Sequence, residues 1–345
     1  MESVSRRAAV SAVLLFLILM LVSCRRATSS AEVRSQVFYE YFDTVSRVSS
    51  YAGDTAQQFS ENAGAVREVL EHWHRLLDIY HEYEGMNNLC TVNRLAGGSP
   101  VEVDPDLVEF ILYAKEMFTL TGGETDISLG SVLRLWHDAR TSDVPYLPSE
   151  EELEEAGLHT GFRNVETDAE KNTVRLTDSS SSLDPGALGK GYAAEKAARM
   201  LTGKGVTGYA LDLGGNIRCI GTKADGSSWR TGIRDPQNPD SIAVTISMAD
   251  CSCVTSGSYE RYFTVDGVRY SHIIDKDTLR PAKGFSSVTV VCQDSALADA
   301  LATALSCMDY EAGLSLVSSL DGVEALWITD DGKLRYTKAF GLAIL

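Results

Sequence analysis

Between residues 65 and 80 the apolar side chains Val66, Val69, Trp73, Leu76, Leu77 and Tyr80 recur at helical spacing, which commits one stripe of a helix to a core. A second helix is predicted over Pro105–Leu120, with proline in its first turn and a stop at Thr121-Gly122-Gly123. Residues 186–201 form a third helical stretch opened by a glycine-rich turn, and 296–308 a fourth. Residues 141–157 are rich in proline and glutamate and read as a surface excursion with a short helix. Residues 37–51 carry aromatic and β-branched side chains that suit a first strand or hairpin.

The second half has a different texture. Short β-like runs at 209–213, 217–221, 243–248, 262–265, 287–292 and 323–328 are separated by Gly, Asp or Pro turns. Asp266-Gly267 between Phe263-Thr-Val265 and Val268-Arg-Tyr270 is a hairpin signal, and Asp331-Gly332 marks a terminal one. Helices and antiparallel strands in mixed order predict an α+β fold rather than a βαβ repeat.

The N-terminus stands apart from this pattern. Arg6 and Arg7 precede an apolar run over 8–22, then Ser23 and Cys24. A basic start, a short apolar stretch and a small-residue cleavage point make a secretory signal. The run is shorter than the ~20 residues of a comfortable membrane span. Leu21-Val-Ser-Cys24 has the form of a bacterial lipobox, so we expect residues 1–23 to be removed and Cys24 to carry a lipid. Residues 24–36 would then tether a single domain over 37–345 to a bacterial membrane, the inner one facing the periplasm.

The formal net charge of −17 disfavours nucleic acid and anionic lipid surfaces as partners. An anionic nucleotide would need a local device such as a metal or a glycine nest. Cys90, Cys219, Cys251, Cys253, Cys292 and Cys307 show no zinc-like spacing and read as structural residues, with any pairing unreadable from sequence.

Five segments could carry chemistry. Asp299-Ala-Leu-Ala-Thr303 places a carboxylate and a hydroxyl one helical turn apart, two hard oxygens of the kind Mg²⁺ accepts; a solvated helix face is the plainer reading. Ser181-Ser-Leu-Asp-Pro-Gly-Ala-Leu-Gly-Lys-Gly-Tyr192 opens a helix with backbone N–H groups and Lys190, without the spacing of a nucleotide-binding P-loop or a dinucleotide fingerprint. Tyr270-Ser-His-Ile-Ile-Asp275 offers His272 as a base, or as a core histidine. Gly214-Gly215 is a tight turn, and Thr121-Gly-Gly-Glu-Thr-Asp126 a polar corner. His72, His74, His81 and Glu82 do not share one helix face and make a poor metal site.

In order along the chain, these segments resemble the FAD:protein FMN transferase family, the ApbE-type flavin transferases. The marks are Phe42-Asp-Thr44, the helix ending at Tyr80, Asn93-Arg-Leu95, Thr125-Asp-Ile-Ser-Leu-Gly130 with Leu135-Trp136, and Gly189-Lys-Gly-Tyr192. Then come Leu213-Gly-Gly-Asn216, Trp229-Arg-Thr-Gly-Ile-Arg-Asp-Pro236, Thr255-Ser-Gly-Ser-Tyr-Glu-Arg261, His272-Ile-Ile-Asp275 and Ala298-Asp-Ala-Leu-Ala-Thr303. The resemblance implies a T-fold-like α+β domain. It implies Mg²⁺ held by Asp299, Thr303 and the Gly189 carbonyl, and FAD bound by Thr44, Tyr80, Glu124, Thr125, Asp126, Lys190, Tyr192, His272 and Ile273. His272 would deprotonate a threonine of an exported acceptor protein, which attacks FAD and releases AMP. Hydrolysis of FAD to FMN and AMP would use the same groups, whereas a non-catalytic flavin-binding lipoprotein would have no need for His272 beside a metal pair. The chain departs from the family's pattern at Asp184-Pro-Gly186 and after Asp275, where a proline and the glycine before Arg280 are missing.

Overall fold

The computed structural model describes residues 32–345, so the expected signal segment, Cys24 and most of the tether lie outside the described residues. Among the described residues no helix is long and apolar enough to cross a membrane.

One antiparallel sheet organises the fold, as the mixed pattern predicts. Its strands are β1 (Arg34–Phe38), β2 (Ser46–Ser50), β3 (Tyr209–Leu213), β4 (Asn216–Ile220), β5 (Ser252–Gly257), β6 (Phe285–Cys292), β7 (Glu324–Thr329) and β8 (Leu334–Tyr336). Their spatial order is their chain order, and every neighbouring pair is antiparallel. The sheet begins inside the expected tether: Arg34 to Gln36 already pair with Ser50 to Val48.

Apart from the last helix, everything else is inserted between sheet strands. The β2–β3 connection holds α1 (Ala56–Leu77), α2 (Leu89–Arg94), α3 (Pro105–Leu120), α4 (Gly130–Thr141), α5 (Glu150–Leu158) and α6 (Gly189–Gly203). The hairpin Trp229–Asp235/Asn238–Met248 lies between β4 and β5, and two smaller hairpins between β5 and β6. Between β6 and β7 come α7 (Ser295–Cys307) and α8 (Tyr310–Ser318), and α9 (Lys338–Ala343) closes the chain.

Local chemistry explains where the boundaries differ from expectation. Helix α1 starts nine residues before the apolar stripe does, because Thr55 and Gln58 form a reciprocal capping box. It ends at Leu77, because Asp78 leaves the helix and its carboxylate accepts the N–H groups of Tyr80 and His81. Tyr80 is thereby freed from the stripe. The segment after the polar corner is the helix α4, with Val132, Trp136 and Ala139 buried on one face. At Asp266-Gly267 both residues take positive φ, 50° and 79°, the turn that matches strand twist.

Helices α6 and α7 pack on each other and, from one side, on the middle of the sheet. The other side of β4, β5 and β7 covers a separate core of Cys219, Cys253, Leu326 and Ile328 against Trp229, Ile246 and Phe340. A buried ion cluster fastens α6 to the sheet. Glu195 accepts from Arg218 on β4 at 3.2 Å, from Arg199 at 2.9 Å and from the Ser295 N–H at 3.0 Å. Both Glu195 and Arg218 are nearly inaccessible.

Removing Glu195 leaves a buried guanidinium and a backbone N–H without their acceptor. Glu195→Ala should therefore cost about 3–5 kcal/mol in urea unfolding. A loss well under ~1 kcal/mol would mean that the cluster does not fasten the helix.

Candidate functional site

The glycine-rich turn and the Asp299 helix meet in direct contact. Asp184 caps a short turn over Pro185–Ala187 through the Gly186 N–H, and α6 begins two residues later. The Gly191 N–H donates to Asp299 Oδ2 at 2.7 Å, and Thr303 Oγ1 donates to the Ala187 carbonyl at 3.0 Å. Gly191 makes this approach possible: a Cβ there would lie 2.3 Å from the Ser295 carbonyl and 2.4 Å from Asp299 Cβ. Asp299 is 3% exposed and, among the described residues, no cationic side chain pairs with it. A buried carboxylate with one hydrogen bond, a hydroxyl a turn away and neighbouring carbonyls form a hard-oxygen set that suits a divalent cation. The carbonyl held against Thr303 is that of Ala187, two residues before Gly189.

His272 follows the hairpin Tyr262–Val265/Val268–Ser271. Its N–H and its Nδ1 both face the Arg261 carbonyl at 3.1 Å. A carbonyl can only accept, so Nδ1 carries the proton and Nε2 of the neutral ring keeps its lone pair. The residue remains accessible from solvent while protein crowds the ring. This lost hydration, and then the charges of Lys190, Arg261 and Arg140, push its pKa down to about 4; only the Arg261 hydrogen bond opposes them. Lys190 sits one residue from Gly191, so the histidine and the Asp299 pocket share a neighbour.

Tyr80 completes the wall. It is 61% exposed, its ring centroid lies 5.4 Å from that of His137, and its hydroxyl is 3.4 Å from His137 Nδ1. Burial, followed by the Asp184 charge, raises its pKa against the lowering effect of Arg140 and Arg261. An aromatic face beside arginines in a chain of net charge −17 is a local device for a planar, anionic molecule.

The remaining sequence candidates divide. Thr44 lies against the Gly214 turn, where a Cβ would come 2.2 Å from its Oγ1. Glu124 is partly buried beside Lys276 at 3.3 Å, and burial raises its pKa. Asp126 caps a short turn through the Ser128 N–H, and Ile273 is buried. Thr125 is fully buried and donates to the Ala300 carbonyl at 2.6 Å, locking the corner onto α7 beside Asp299. Tyr192 requires a correction as a ligand-lining residue. It is 4% exposed, with Trp73, Phe110 and Tyr113 around its ring at 4.9, 5.1 and 5.2 Å, so it has no free face for a ligand.

Sequence reasoning overlooked His137 and Arg140, one turn apart on α4. The spacing of Val132, Trp136 and Ala139 could have found that helix and its polar flank. The histidines of α1 scatter. His74 Nδ1 accepts from the Phe42 N–H, His81 joins Asp78, and His72 joins Asp106 at 2.8 Å. His72, Asp104 and Asp106 could jointly face an ion, but they read as an ion pair fastening α1 to the start of α3. After Asp275, where the sequence lacks glycine, Leu279 itself takes φ 58°, and its carbonyl accepts from the Trp136 indole at 2.8 Å.

Gly191→Ala should destabilise the fold by about 1–3 kcal/mol in chemical denaturation. Gly203→Ala, with open space around its Cβ position, serves as the near-neutral control; equal effects of the two would refute the close-approach argument. Because its folded pKa lies below its unfolded one, His272 adds stability that is complete above about pH 6.5 and is lost as pH falls through 6.5 toward 4. Its ring signals in an NMR titration of the free protein should move with a midpoint near 4; a midpoint near 6.5 would contradict the environment described.

Comparison with known proteins gives the family and the fold. The ApbE family model matches residues 42–327. The FAD:protein FMN transferase of Treponema pallidum is 37% identical over 262 residues, 72% of each chain. That of Vibrio cholerae is 32% identical over 261 residues, 74% of this chain and 77% of the other. Among solved structures, the ApbE protein of Thermotoga maritima superposes with a TM-score of 0.81 at 28% identity, covering 90% of this chain and 99% of that one. The Vibrio cholerae flavin transferase ApbE gives 0.77 at 26% identity, covering 91% and 99%. Family model, relatives and fold together assign this chain to the ApbE family.

Proposed function

We propose that this protein is a Mg²⁺-dependent FAD:protein FMN transferase, which attaches FMN through a phosphoester to a threonine of exported acceptor proteins and releases AMP. The observation that carries the reading is the convergence of a buried Asp299, without a cationic partner among the described residues, with His272 and its three cations Lys190, Arg261 and Arg140. The activity named for the relatives from Treponema pallidum and Vibrio cholerae supports it.

Asp299, Thr303 and the Gly189 carbonyl would hold the metal. When bound, Mg²⁺ neutralises a pyrophosphate and makes its phosphorus more electrophilic. Lys190, Arg261 and Arg140 add fixed positive charge for the phosphates, and the exposed Tyr80 face takes the flavin. The acceptor hydroxyl gives its proton to His272 Nε2 and its oxygen bonds the FMN-side phosphorus, while the bond from that phosphorus to AMP breaks. The low pKa of the free histidine fits this role, because the incoming phosphates offset the cations and raise its affinity for a proton. Export and a lipid on Cys24 would place the enzyme and its acceptors on the same side of the membrane.

The test mixes the full chain with FAD, Mg²⁺ and an acceptor polypeptide bearing an Asp-Gly-x-Thr sequence. An in-gel fluorescent acceptor band that disappears with EDTA, accompanied by AMP, is expected. AMP with an unlabelled acceptor would replace transfer by FAD hydrolysis. His272→Ala should lower turnover by ~10²–10⁴-fold while FAD still binds; unchanged turnover would remove the histidine as base.

A further inference from the structure

The pairing of the cysteines, unreadable in the sequence, acquires an address in the sheet. Ser252 and Cys253 on β5 face Arg218 and Ile217 on β4, so the next position of this antiparallel register sets Cys251 opposite Cys219. The Cys219 N–H donates to the Cys251 carbonyl at 2.9 Å, which holds the two residues opposite each other one step beyond the end of the strand. Directly opposed residues of a hydrogen-bonded antiparallel pair have Cα atoms about 5.5 Å apart and side chains on one face. That separation lies inside the roughly 4.4–6.8 Å range that a disulfide spans.

All six cysteines of the described residues are free thiols. We infer that Cys219 and Cys251 form an oxidisable pair that closes a disulfide across β4 and β5 when the protein meets a small-molecule disulfide such as oxidised glutathione. Cys251 is partly buried and Cys219 fully so, so the reaction has an order. The Cys251 thiolate attacks the small disulfide and expels one glutathione thiolate, giving a mixed disulfide. The Cys219 thiolate then attacks the Cys251 sulfur and expels the second. Two protein thiols are oxidised, two glutathione molecules are formed, and two protons pass from protein to glutathione.

The other thiols compete poorly. Cys253 lies two residues along the same strand from Cys251, a separation of roughly 6.4–6.8 Å that sits at the far limit of a disulfide's span. Cys292 is opposite Ser252, one position out of register and therefore on the other face of the sheet. Burial raises the pKa of both Cys219 and Cys251, so exchange is slow at neutral pH and faster in mild alkali. The bond would enclose the hairpin Trp229–Asp235/Asn238–Met248 in a covalent loop and fix the strand that carries Arg218.

The experiment incubates the full chain in detergent with oxidised glutathione at about pH 8.5, blocks remaining thiols, and maps unreduced peptides by mass spectrometry. The expected result is a Cys219–Cys251 cross-linked peptide and a melting temperature raised by roughly 5 °C or more, both abolished by dithiothreitol. Cys253→Ser should keep both effects and Cys251→Ser lose both. Free, alkylated Cys219 and Cys251 after prolonged oxidation of the folded wild type, or a cross-link between other cysteines, would overturn the assignment. The wild-type map needs no variant to fold, and it is independent of any flavin activity.

Discussion

The site depends on one close approach, the crossing of α6 over α7 at Gly191. With a side chain there, the helices could not come near enough for a backbone N–H to reach Asp299. That hydrogen bond orients a buried carboxylate, on a helix whose alanines Ala298, Ala300 and Ala302 are themselves buried in the cores on either side. Small residues along α7 and glycines in the turn are therefore a single requirement seen from two helices. The ion cluster of Glu195, Arg218 and the Ser295 N–H holds the same crossing from behind, so the geometry at Asp299 is tied to the sheet as well as to its own helix.

The second constraint is electrostatic. A chain of net charge −17 repels an anionic nucleotide at a distance. Within the cleft positive charge is gathered locally, since Lys190 comes from α6, Arg140 from α4 and Arg261 from the segment after β5, all near His272, with Glu260 and Asp184 facing them. Bringing three cations together raises their mutual repulsion, and a low-pKa histidine among them avoids adding a fourth. A metal beside Asp299 and phosphates between the cations would relieve both imbalances, that of the unpaired carboxylate and that of the clustered positive charge.

Much of this was legible in the sequence, for identifiable reasons. Strong periodicity and good stop signals placed Pro105–Leu120 and the strands Tyr209–Leu213 and Tyr262–Val265 at their observed bounds. The Asp299 and Thr303 pairing follows from helical spacing alone, and their position at the α6 turn fits the resemblance. What stayed hidden depends on contacts between distant segments. Nothing local reveals that Tyr192 faces three aromatic rings rather than a cleft, or that Thr125 serves α7 through the Ala300 carbonyl. The capping box at Thr55 was readable, yet the apolar stripe outweighed it in setting the start of α1. Arg140 and His137 were missed because no helix was read between the polar corner at 121–126 and the proline- and glutamate-rich stretch from 141.

The central claim is that Asp299 and Thr303, set against the α6 turn, form one divalent-cation site. Its most direct test is a titration of the full chain with Mn²⁺ followed by electron paramagnetic resonance, in the wild type and in Asp299→Asn, with Mg²⁺ as competitor. The account predicts one Mn²⁺ site in the wild type that Mg²⁺ displaces and that the variant lacks, with the variant's circular dichroism unchanged. Equal, Mg²⁺-competed binding in a folded Asp299→Asn protein would contradict it, and would move the metal away from the α6–α7 crossing.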